Sequence, residues 1–86
     1  MLGDFFVMYY VYILYSARLD VYYKGFSADV EKRLEYHLHG KHKFTSTARN
    51  WKIVYTAAFE GKREAVKEEK RLKRLNRQSL QKLISG

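Results

Sequence analysis

The chain of 86 residues fits one domain and contains neither cysteine nor proline. Disulfide staples, thiolate metal sites and cis-proline turns are therefore excluded, and the composition is compatible with a reducing cytoplasm. The formal net charge is +8, unevenly placed: residues 1–40 hold four Lys/Arg against five Asp/Glu, and residues 41–86 hold thirteen against four. A basic half of this kind points to a polyanion, most simply nucleic acid, with a merely soluble basic surface as the plainer reading.

The first segment, "FFVMYYVYILY", has eleven apolar residues. It falls short of the roughly 20 that span a bilayer, and Asp4 stands where a secretory signal needs positive charge. Residues 1–8 read as a short leader, residues 9–84 as a single domain, and no membrane partner is expected. "YYVYILYS" (9–16) is β-branched and aromatic, with both alternating sets apolar. It reads as a strand covered on both faces. "ARLD" (17–20) then forms a four-residue hairpin loop and "VYYKGF" (21–26) the returning strand. That loop length sets Ser16 against Val21, Leu14 against Tyr23 and Tyr12 against Gly25, with Tyr12 and Tyr23 on one face. "SADVEKRLEYHLHG" (27–40) reads as a helix with Ser27 as N-cap and Gly40 as its stop. After a basic loop, "KHKFTSTARN", comes a third strand, "WKIVYTAAF" (51–59). A charged helix over 61–75 and a short one over 77–84 follow. The order β-β-α-β-α-α makes an α+β fold, a three-stranded antiparallel sheet flanked by helices.

Two helical faces carry residues that a core does not ask for. Val30, Arg33, Leu34, His37 and Leu38 share one stripe of the first helix, and Arg33 and His37 lie one turn apart. On the second long helix Ala65, Val66, Glu69 and Leu72 share a stripe, while Arg63, Lys67, Lys70, Arg74 and Arg77 follow a separate basic one. A carboxylate at a core edge is costly unless paired, metal-bound or protonated. The bland reading pairs Arg33 with Glu69 and leaves His37 as a satisfied edge histidine. Arg33 could instead flank its stripe and snorkel to water. The chemical reading takes the set together: an arginine for phosphate oxygens, one carboxylate for a hard cation, and a tyrosine or histidine for a proton. That set suits metal-assisted phosphodiester hydrolysis.

These residues resemble the GIY-YIG nuclease superfamily, in its small single-domain branch (UPF0213, UvrC-like N-terminal). The two name-giving elements are present in altered form as "YVY" (Tyr10 to Tyr12) and "YKG" (Tyr23 to Gly25), with Lys24 in place of an apolar residue. Arg33 and His37 stand at the family's spacing after Gly25, and "AVKEE" matches its metal-binding helix, with Glu69 as the ligand. The resemblance covers roughly residues 9–84. It implies a DNA endonuclease, structure-dependent or of the kind used in DNA repair incision, with Mg²⁺ or Mn²⁺ as cofactor. By that likeness Tyr12 is a general-base candidate and Tyr23 positions the nucleophile or a phosphate. Arg33 stabilises the transition state, His37 assists proton transfer or supports Tyr12, and Glu69 holds the metal. Lys41, Lys43, Arg49, Arg63, Lys67, Lys70 and Arg74 are candidate phosphate contacts. Asn76 is closer to Glu69 than the family's supporting asparagine and is left out of the set; it could cap the last helix. The alternatives are a nucleic-acid-binding module with the same fold and no activity, and a purely structural or interaction domain. A protein partner or a homodimer is compatible with either.

Overall fold

A computed structural model describes residues 8–39 and 50–86. Its elements are β1 (Tyr9–Ser16), β2 (Val21–Ser27), α1 (Val30–Leu38), β3 (Trp51–Phe59), α2 (Lys62–Arg74) and α3 (Arg77–Ser85). The strands form one antiparallel sheet in the order β2-β1-β3. The central place of β1 explains its unbroken apolar run. Val11 and Ile13 point to one face and pack with Ala65, Leu72 and Leu80 of α2 and α3. Tyr12 and Leu14 point to the other and pack with Trp51 and with Val30, Leu34 and Leu38. Both faces of β1 are thus inside the protein, as an alternation of two apolar sets requires.

The hairpin register follows from the loop length: Ser16 pairs with Val21, Leu14 with Tyr23 and Tyr12 with Gly25. Asp20 closes the turn with φ 55, a left-handed conformation that aspartate tolerates better than most residues. Its N–H donates to the Ser16 carbonyl at 2.7 Å. The buried Ser16 hydroxyl accepts from Leu19 N–H at 3.1 Å and donates to Asn50 Oδ1 at 2.9 Å. On the other side, the β1–β3 register shifts between Ile13 and Leu14, leaving Val54 as the extra residue of a bulge. Val54 and Tyr55, adjacent in sequence, consequently both pack on the α2–α3 side.

Helix α1 starts later than the sequence suggests. Ser27 ends β2 and does not cap. Its hydroxyl accepts from Asp29 N–H and donates to the Asp29 carbonyl, a local turn that delays the helix. Asp29 is the N-cap, accepting from Lys32 N–H at 3.1 Å. Gly40 lies outside the described residues, as do the leader residues 1–7 and Lys41, Lys43 and Arg49. Asn76 caps α3, accepting from Ser79 N–H at 2.8 Å.

Arg77, counted with the basic stripe of α2, proves to be a structural clasp. Its guanidinium pairs with the Asp20 carboxylate, donates to the Asp20 carbonyl at 3.0 Å and lies over the Tyr22 ring. The Tyr15 hydroxyl donates to the same carboxylate at 2.6 Å. These bonds hold the Asp20 carboxyl below its ordinary range, the Tyr15 bond contributing most and Arg77 next. The clasp ties the hairpin turn to the start of α3. Arg77→Ala and Asp20→Asn should each lower the urea midpoint, and the double variant should lose less than the sum of the two, measured by circular dichroism.

Candidate active site

The β1–β2 pairing builds the first half of the site. Tyr12 lies across Gly25 so closely that a Cβ there would meet its hydroxyl oxygen at 2.6 Å. Only glycine leaves room for the ring. The Tyr12 side chain is 2 % exposed, and its hydroxyl lies 3.2 Å from Nε2 of His37, itself fully buried. In the tautomer that leaves Nε2 unprotonated, the phenol donates to the imidazole. The Tyr23 ring lies 4.8 Å from that of His37, and Tyr36 meets His37 edge-on at 5.7 Å. One imidazole therefore has three tyrosines around it.

Arg33 and Glu69 stand on two different helices. Of the three polar residues expected on buried stripes, only His37 is fully enclosed. Arg33 is exposed at the flank of α1, its guanidinium 4.8 Å above the Tyr36 ring. On α2 Ala65 and Leu72 are buried, and the Glu69 side chain beside them is 15 % exposed, largely inside the stripe as its spacing predicts. Among the described residues Arg33 and Glu69 form no ion pair; Glu69 pairs instead with Lys73, 3.5 Å away and one turn on. The neighbouring Glu68 is committed to Arg71 through two hydrogen bonds of 2.7 and 2.6 Å, so Glu69 is the carboxylate that faces the tyrosines.

Electrostatics link the four groups. Burial chiefly, then the neighbouring Tyr23, pushes the Tyr12 phenol up to about 12. Glu69 adds to that rise, while the Arg33 charge opposes it. Tyr23 is also raised, again by burial first, and again Arg33 pulls down and Glu69 pushes up. Both helices thus act on both phenols.

Three cations near this centre, Lys32, Lys62 and Lys73, were not singled out by the sequence patterns. Lys62, Val66, Glu69 and Lys73 form one row along α2, at spacings of four, three and four. Lys73 lines a small cleft with Tyr23 and Lys24. The Lys24 ammonium is held below its usual range by burial and then by Lys73. Lys24 pairs with Ile13, on the face opposite Tyr23, as the strand alternation requires. Lys62 and Lys32 line a larger cleft beside Arg33. By contrast, Arg63, Lys67, Lys70 and Arg74 are exposed on a stripe roughly 135° around the helix from Glu69. A wheel centred on Glu69, instead of on the densest cations, finds Lys62 and Lys73.

Residues 8–83 match the family profile described as the GIY-YIG catalytic domain. The chain belongs to the GIY-YIG family. Within that family it is 37% identical over 78 residues to a UPF0213 protein of Staphylococcus saprophyticus, covering 90% of this chain and 94% of the relative. It is 39% identical over 80 residues to one from Clostridium perfringens, covering 92% and 85%. The solution NMR structure of a UPF0213 protein from Bacillus halodurans superposes with a TM-score of 0.59 at 35% identity, over 91% of this chain and 83% of that one. The GIY-YIG fold accounts for the β-β-α-β-α-α order, and the altered elements "YVY" and "YKG" supply the crossing of Tyr12 over Gly25.

Gly25→Ala should destabilise the protein by about 1–3 kcal/mol, the range for overpacking, and by less in a Tyr12→Ala background, measured by urea denaturation. The Tyr12 phenol binds its proton more tightly folded than unfolded. Its stabilising contribution is therefore complete below pH 10, the ordinary phenol value, and lost as pH rises towards 12. The denaturation midpoint should fall across that window, and Tyr12→Phe should flatten part of the fall.

Proposed function

We propose that this protein is a divalent-metal-dependent nuclease that hydrolyses phosphodiester bonds, with DNA as the substrate, acting in the cytoplasm. The observation that carries the reading is the buried Tyr12 hydroxyl, seated across Gly25 and 3.2 Å from Nε2 of His37, in a chain whose residues 8–83 match the GIY-YIG catalytic domain. Burial of a phenol–imidazole pair beside Arg33 suits proton transfer more than packing.

Roles follow from accessibility. Arg33 is exposed and is assigned to a phosphate oxygen and to the charge that grows on it in the transition state. Tyr23, half-buried, is the phenol nearer to solvent and is assigned to orient the attacking water. Tyr12 keeps its proton at neutral pH, so it is no base by itself. Its contact with His37 supports a relay in which the phenol takes a proton on its oxygen as its own passes to Nε2. Glu69 fits a hard cation as a single carboxylate, because waters and phosphate oxygens complete such a shell. Lys73 already holds a positive charge against it. When bound there, Mg²⁺ or Mn²⁺ would supply Lewis-acid stabilisation of the phosphate. Among the described residues no group of three or more His, Cys, Asp or Glu gathers for a metal, so the fit rests on the Glu69 carboxylate alone.

The Lys73 pair also favours a second reading, a nucleic-acid-binding module without turnover, in which the carboxylate stays neutralised. Cleavage of labelled duplex, nicked, flap and single-stranded DNA with Mg²⁺ or Mn²⁺ separates the two. The nuclease reading expects Glu69→Gln to abolish cleavage with the fold retained. It expects Arg33→Ala and Tyr12→Phe to slow turnover by about 10²–10³-fold. No cleavage by wild type, with salt-sensitive binding, selects the binding module. Lys73→Met should tighten Mn²⁺ binding roughly two- to fivefold by titration calorimetry, the fold-change of a partly exposed ion pair.

A further inference from the structure

A cleft of about 710 Å³ opens beside Arg33, away from the Tyr12–His37 contact. Its walls come from four elements: Tyr9 at the start of β1, Phe26 near the end of β2, Lys32, Arg33 and Tyr36 on α1, and Lys62 at the first position of α2. The three aromatic side chains are only partly buried. The three cations are exposed. Tyr9 and Phe26 pack in part against the Val11–Ile13 cluster, yet both, with Tyr36, also line the cleft, and nothing in the proposed hydrolysis uses their open surface.

We infer that this cleft is a stacking site for one unpaired nucleotide next to the phosphate held by Arg33, so that the enzyme selects strands with unpaired bases over continuous duplex. The inference rests on the nucleic-acid reading above and narrows its substrate. Arg33 belongs to both places: it stands one turn before the Tyr12-bonded His37 on α1 and lies 4.8 Å over the Tyr36 ring. A phosphate bound to Arg33 therefore brings the adjoining nucleotide to the aromatic wall. Aromatic faces take any base by stacking, and flanking cations take the backbone. A base within duplex has both faces covered and must first leave the stack, at a cost that a flap, gap or strand end avoids. The acidic residues of the cleft are compatible with this occupant. Asp29 is engaged as the α1 N-cap, and Glu35 is an acceptor for the exocyclic amines of bases.

The test uses the full chain in EDTA, so that binding is read without cleavage. Fluorescence anisotropy compares blunt duplex with a flap and a single strand of equal length. 2-Aminopurine, placed at an unpaired position or within the duplex, reports stacking. The expected result is about tenfold tighter binding to the unpaired substrates, with quenching confined to the unpaired probe. Tyr36→Leu and Phe26→Leu should erase most of the preference and the quenching, and Tyr36→Trp should retain both. Phe26→Leu keeps apolar volume against the core and leaves the Arg33–Tyr36 contact in place, so its effect reads stacking alone. Equal affinity for duplex and unpaired DNA, with no quenching, would overturn the stacking site and leave the nuclease reading standing. Absence of salt-sensitive binding to any of the DNAs would overturn both.

Discussion

Tyr12 must lie over a residue with no side chain and must also give its buried hydroxyl a partner. Those two demands organise much of what surrounds it. The first places Gly25 opposite Tyr12 in β2, which holds the hairpin register, because a slip of one residue would bring Lys24 or Phe26 under the ring. The second brings His37 inward on α1 and sets the rotation of that helix about its axis. With His37 turned to the sheet, Arg33 falls one turn earlier at the helix flank, where it reaches both Tyr12 and water.

The site is electrostatically divided. Arg33 favours the ionised form of both phenols and Glu69 opposes it, so a change at either helix is felt at both tyrosines. A carboxylate paired with a lysine is charge-balanced within the protein itself. The outer stripe of α2, though denser in charge, points away from this centre. Its effect is a general positive field over that face, while Lys62 and Lys73 lie on the side that meets the phenols.

The strands and their pairing were legible because local rules settle them: a four-residue loop forces one register, and an apolar run without breakers has only a central strand to occupy. The start of α1 was not, since Ser27, Ala28 and Asp29 include two competent caps, and a side-chain turn at Ser27 decides between them. The membership of the site was legible as a set of residue types at helical spacings. Its contacts were not. A helical wheel gives direction but not depth, so it placed Arg33 on a core stripe when that residue sits exposed at the flank. Partner choice between Arg33 and Lys73 for Glu69 depends on how far apart two helices stand across a sheet, a distance that no periodicity encodes. Arg77 was read only as a cation of the basic stripe because its partner, Asp20, is remote in the chain.

The sheet order β2-β1-β3 also has a kinetic side. The β1–β2 pairing needs only a four-residue loop to close, whereas β3 must return to the same strand from much further along the chain, a closure with a larger entropic toll. Local hairpins close in microseconds, and non-local strand pairing is the slower event. The two phenols and the glycine beneath them thus belong to a unit whose assembly is local, while Glu69 joins only when α2 docks on it. A nascent chain can hold Tyr12 and Tyr23 in register over Gly25 before Glu69 has reached them.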